Sequence, residues 1–177
     1  MTIDRIQVKL FARQGSEAPP SALIPALHGW IQRGALDEIL IDVTDYSHVH
    51  EGPGVLLVAH AANYQVETSG GLGLRYARKR DGRGSLRERV TDAVGRARTA
   101  AALLAEEPAL GGKLGFDEGR LQIALCDRLA APNDEATYAA LAPDVAAGVE
   151  GALPGRTVAL RRGGEARDPL TFEVALG

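Results

Sequence analysis

The chain opens on a β-branched and aliphatic run over residues 5–12, closed by Gly15, Ser16 and the Pro19-Pro20 pair, which predicts a strand. A helix should follow. Ile24, Leu27, His28 and Ile31 recur at i, i+3, i+4 and i+7, so one helical face is apolar and carries a histidine, with Ser21 as N-cap and Gly34 as the stop. Pro25 falls in the first turn, where a missing N–H costs least. Residues 38–43 predict a second strand, with Ile39, Ile41 and Val43 on one face and Leu40 and Asp42 on the other. After Gly52-Pro53-Gly54, the run from Val55 to His60 is apolar on both faces and continues through Tyr64 and Val66 as one central strand. Thr68-Ser69-Gly70-Gly71 then turns the chain into a partner strand over residues 72–77.

Asp81-Gly82-Arg83-Gly84 ends that hairpin, and Ser85 with Glu88 forms the S-x-x-E capping-box pattern of a long helix over 86–106. Its apolar stripe is Leu86, Val90, Ala93, Ala97, Ala101 and Leu104. Arg87 and Arg98 flank one side and Arg89 and Arg96 the other, with stems over the stripe and guanidinium heads in water. Further strands are expected over 120–126, 157–161 and 170–176, with a helix capped by Asn133 or Asp134 and kinked or split at Pro143.

Behind these elements lies an internal correspondence. Residues 5–13 align without a gap against 120–128, 22–25 against 140–143, 34–36 against 151–153, and 53–59 against 169–175. An offset of about 115 residues is too long for a solenoid repeat and implies one duplication, with copies at about 4–67 and 119–177 joined by the hairpin strand and helix of 68–118. The expected fold is α+β: a tandem β-α-β-β unit forming a mixed or largely antiparallel sheet, with packed helices, an inserted strand and a long connecting helix. No low-complexity linker separates the copies, so residues 1–177 form one compact domain. This order loosely resembles the paired β-α-β-β-β modules of the vicinal oxygen chelate, or glyoxalase-like, proteins. The resemblance is one of topology and implies a metal and substrate enclosed by a curved sheet; the first-strand histidine of that family has no counterpart here.

With 45% hydrophobic and 24% charged residues, the composition is that of a globular chain, and its length suffices for a core without staples. No apolar run reaches the ~18 residues of a membrane span, and the N-terminus lacks a secretory leader, so a cytoplasmic protein is expected. The single cysteine, Cys126, builds neither a disulfide nor a thiolate metal site, and the matching position Phe11 assigns it to core filling. A net charge of −3 disfavours general nucleic-acid binding. Between Arg75 and Arg98, however, nine basic residues face Asp81, Glu88 and Asp92, a strip able to meet an acidic partner or another subunit.

Nucleophile-elbow, P-loop and dinucleotide motifs are absent. All four histidines lie between positions 28 and 60, in the first copy only, and residues added for chemistry need not recur in a duplicated scaffold. The sharpest grouping is Asp42, Asp45, His48 and His50, with His60 at the end of the next strand. Oxygen and imidazole donors of this kind suit a divalent metal. Asp42 is also a candidate general base or capping group, and Tyr46 and Tyr64 are candidate pocket walls. The functional expectation is a small-molecule or metal-binding protein using this first-copy site. The alternatives are a noncatalytic oligomerisation or partner module built on the arginine-flanked helix, and a metal-assisted hydrolase.

Overall fold

A computed structural model describes residues 3–80 and 83–177. The chain order is β1 (Ile6–Ala12), α1 (Pro20–Arg33), β2 (Leu40–Tyr46), β3 (Gly54–Ala59), β4 (Ala62–Glu67), β5 (Gly73–Arg78), α2 (Leu86–Ala105), β6 (Phe116–Leu125), α3 (Glu135–Ala152), β7 (Val158–Gly163) and β8 (Leu170–Leu176). All eight strands join one sheet in the order β2-β3-β4-β5-β1-β6-β8-β7, and every neighbouring pair is antiparallel. The turn expected at Asp81-Gly82 lies outside the described residues.

Period-two alternation decides which side of the sheet is covered. Ile6, Val8 and Leu10 of β1, Tyr64 and Val66 of β4, Leu74 and Tyr76 of β5, Leu121, Ile123 and Leu125 of β6, and Phe172 and Val174 of β8 share one apolar core. Buried residues of all three helices belong to that same core, including Leu23, Leu27 and Trp30 of α1, Val90 and Ala97 of α2, and Val145 and Val149 of α3. The helices therefore pack on a single face. On the other face the strands present Gln7, Lys9, Gln65, Arg75, Gln122 and Glu173, and among the described residues no helix covers it.

The long helix forms as its letters dictate. Ser85 accepts from the Glu88 amide while Glu88 reaches back to the Ser85 amide, and the six expected stripe residues are all buried. Arg89 departs from expectation: its guanidinium is buried and donates to the Ile3 carbonyl and to Asp4. Asp134 caps α3 by accepting from the Thr137 amide. This helix runs through Pro143 as one element, because the carbonyl that loses its partner, on Ala139, lies on the exposed side where water replaces it.

Four other expectations are corrected. The run from Val55 to Val66 is a hairpin, reversed at His60-Ala61 into β3 and β4. In β2 a bulge between Leu40 and Asp42 interrupts the alternation, so Leu40 and Val43 share the half-buried side and Ile41 is exposed. In α1 the buried residues are Leu23, Ala26, Leu27 and Trp30, which leaves His28 exposed. Four strands follow α1 and two follow α3, so neither half is the β-α-β-β-β module of the glyoxalase-like resemblance.

α2 and α3 meet where α3 has no side chain. A Cβ at Gly148 would lie 2.7 Å from Val90 Cβ and 2.8 Å from the Arg87 carbonyl oxygen, while Thr91 donates to the Gly148 carbonyl at 2.9 Å. Gly148→Val is expected to cost about 2–3 kcal/mol by forcing the helices apart. Urea denaturation checks this, and a loss no larger than that of a Gly95→Val control, where an added Cβ on α2 meets nothing within 4 Å, would contradict the close-approach account.

Candidate functional site

The expected metal ligands do not assemble. Asp42 lies opposite Val58 and Asp45 opposite Val55, and an odd spacing of three along a continuous strand sends their side chains to opposite faces of the sheet. Asp42 accepts from the Val43 amide and Asp45 from the Ser47 amide; the Ser47 hydroxyl first, then that amide, hold the Asp45 carboxyl below its usual range. His48, His50 and His60 are all exposed, the last in the β3–β4 turn. Among the described residues no three His, Cys, Asp or Glu side chains are placed to hold one metal ion.

The two tyrosines separate as well. Tyr46 is exposed on the edge strand, whereas Tyr64 is buried on the helix side, edge-on to Tyr76 with ring centroids 5.3 Å apart. Its hydroxyl donates to Glu38, and burial first, then this carboxylate, pushes the phenol well above its ordinary value. Cys126 is half-buried beyond the end of β6 and outside the core cluster; burial raises its thiol pKa, which disfavours the reactive thiolate.

A different site is built on the helix-free face, where the register carries one polar side chain from each of six strands into a row. Gln65 of β4 pairs with Arg75 of β5, Arg75 with Lys9 of β1, Lys9 with Gln122 of β6, Gln122 with Glu173 of β8, and Glu173 with Arg161 of β7. Above the β1-β6-β8-β7 part of this row lies a cleft of about 720 Å³, lined by Lys9, Phe11, Arg75, Arg120, Gln122, Arg161 and Glu173 and roofed at one side by Ser69 and Gly70 of the β4–β5 turn.

Lys9 is the unusual member. Its side chain is only 2% exposed although it stands on the uncovered face, because Nζ donates to the Ser69 carbonyl and sits 3.0 Å from Glu67 Oε1. The same carboxylate oxygen takes Arg75 Nη2 at 2.6 Å and Nε at 2.9 Å, and Arg75 Nη1 donates to Gln7 at 3.0 Å. Gly73 makes this reach possible. It lies between Glu67 and Phe11 in adjacent strands, and a Cβ there would be 2.4 Å from the Leu10 carbonyl oxygen and 3.2 Å from Lys9 Cε.

A buried lysine and a half-buried arginine thus share one buried carboxylate, leaving a formal charge of +1 on the trio. Burial is the largest influence on Lys9 and lowers its pKa from 10.5; Glu67 opposes that shift, and Arg75 adds to it. Phe11 extends the cation-lined wall, with Arg120 Cζ 4.5 Å and Lys9 Nζ 5.3 Å from its ring centroid. At the far side Arg161 is ion-paired with Glu173. The arrangement can accept negative charge, with Lys9 and the guanidinium groups as donors and Phe11 as an apolar surface.

No protein-family model matches the chain, and no curated protein is similar to it in sequence. No helix of the described residues is long and apolar enough to cross a membrane.

Proposed function

We propose that the protein binds a small anionic molecule, bearing a carboxylate or phosphate group, in the cleft on the helix-free face of its sheet. Lys9 carries this reading. Removing a cation from water costs several kcal/mol unless charge and hydrogen bonds compensate it, and here one carboxylate serves both Lys9 and Arg75. An incoming anion would neutralise the remaining charge, with Arg120 and Arg161 at the rim suited to planar oxyanions. Binding is favoured over catalysis because Lys9 Nζ is committed to Glu67 and Ser69.

The same reading moves the site from the 42–51 loop to the sheet. It also removes the need for self-association through α2, whose apolar stripe is covered within the chain. We place the protein in the cytoplasm and read its halves as related through β1 and β6, which pair at the middle of the sheet. Their neighbours β5 and β8 are the strands that correspond in position, in place of the β3 and β8 matched by sequence.

Titration of the full chain with inorganic phosphate and with citrate, against chloride at equal ionic strength, tests the function. Either anion is expected to raise the melting temperature beyond chloride, and Lys9→Met or Arg120→Gln to weaken its binding at least about tenfold. Equal shifts with chloride, or wild-type affinity in both variants, would reject the cleft as the site.

A further inference from the structure

A second hollow lies at the opposite side of the sheet end, between the C-terminal half of α2, β6 and the end of α3. It encloses about 200 Å³ over an apolar floor that includes Leu10, Phe116, Leu121 and Leu153. Its space arises from the residue choice on α2, where Ala101, Ala102 and Ala105 line it in place of longer side chains. Roughly 150 Å³ is enough for one benzene ring, so the hollow holds an aryl group or a short alkyl chain and little more.

Its rim is cationic. Arg13, Arg98, Arg120 and Arg156 surround it against Asp117 and Glu118, and Asp117 is occupied by Arg120 at 3.1 Å. Arg13 gives Nε to the Phe116 carbonyl, and Arg156 gives its donors to the backbone oxygens of Glu118 and Gly177. Arg13 and Arg98 have no carboxylate partner among the described residues. An apolar floor bordered by guanidinium groups with free donors matches a molecule that is apolar at one end and anionic at the other.

The geometry points to a second binding site here, for a small carboxylate carrying one aryl ring or a short alkyl chain, with its carboxylate at Arg98 and Arg13. This site is independent of the cleft reading, because Arg120 and Leu121 alone line both hollows. Isothermal calorimetry on the full chain tests it with phenylacetate, using acetate and benzyl alcohol as its charged and apolar halves. Phenylacetate is expected to bind at least about tenfold more tightly than either half. Arg98→Gln should weaken it about tenfold, and Ala102→Leu, which fills the hollow from an exposed helix position, should abolish it. Lys9→Met should leave it unchanged.

Binding of phenylacetate no tighter than that of acetate or benzyl alcohol would overturn the proposal. So would wild-type affinity in Arg98→Gln, a variant at an exposed side chain that decides the matter even if Ala102→Leu fails to fold. Loss of phenylacetate binding in Lys9→Met would assign the ligand to the cleft and equally refute a second site.

Discussion

Replacing Glu67 with glutamine is expected to remove about 3–5 kcal/mol of folding stability at neutral pH, the scale on which an uncompensated buried charge disrupts a fold. Glutamine keeps the shape of the side chain, so the loss reads the charge alone. Lys9 and Arg75 then remain beside each other with no carboxylate between them. The sign of the pH dependence follows from Lys9. Its folded pKa already lies below 10.5, and removing Glu67 lowers it further. The unfolded chain therefore holds this proton more tightly, so stability is lost as pH falls from 10.5 through the lowered folded value and regained as pH rises. The deficit of the variant should be largest at neutral pH and shrink towards pH 10.5. Urea denaturation of both proteins across that range is the measurement, and a deficit independent of pH would show that Lys9 does not carry the strain.

Trp30→Ala is the second large effect, at about 3–5 kcal/mol, the range for deleting a fully buried aromatic side chain. Trp30 is wholly buried in the core, and its Nε1 donates at 3.0 Å to Glu107 Oε2, which also takes Arg33 at the same distance. The side chain thus joins α1 to the segment after α2 as well as to the sheet. Trp30→Phe separates the two contributions, since it retains most of the apolar area and loses the donor. It should cost roughly 1–3 kcal/mol, because Glu107 keeps Arg33. Denaturation midpoints measured for both variants at equal m-value check the order; a Trp30→Phe loss as large as that of alanine would mean that the hydrogen bond, not the packing, dominates.

How far these features could be read from the letters depended on how local their causes were. The helix at Leu86–Ala105 was legible because its cap and stripe are set by residues three and four apart, and Asp134 announced α3 in the same way. The reversal at His60-Ala61 was hidden, since it uses no glycine, asparagine or proline. The bulge at Ile41 was equally silent, yet by shifting the alternation it changed which β2 residues face outward. On α1 the tryptophan moved the buried face one position away from the stripe that contains His28.

The cleft was out of reach for a further reason. Lys9, Glu67 and Arg75 come from three strands, and nothing near Lys9 states that β5 will lie beside β1. One signal was present: Gln7 and Gln122 recur between apolar neighbours in strands that match each other, and both prove to lie on the helix-free face. The histidines, by contrast, drew notice through their chemistry, while their positions on an edge strand and in turns separated them.

The place of β1 also bears on how the protein is made. This strand is synthesised before the other seven of the sheet yet is bracketed by β5 and β6, so one of its hydrogen-bonding sides stays vacant until residue 116 and those after it have left the ribosome. At 5–20 residues per second, that wait lasts roughly 5–20 s. For the last roughly 2–9 s of it, a nascent chain carrying β1 to β5 offers an unpaired, apolar strand edge to other nascent chains or to a chaperone. Arrival of β6 ends that exposure, making translation of the second half the step that protects the first.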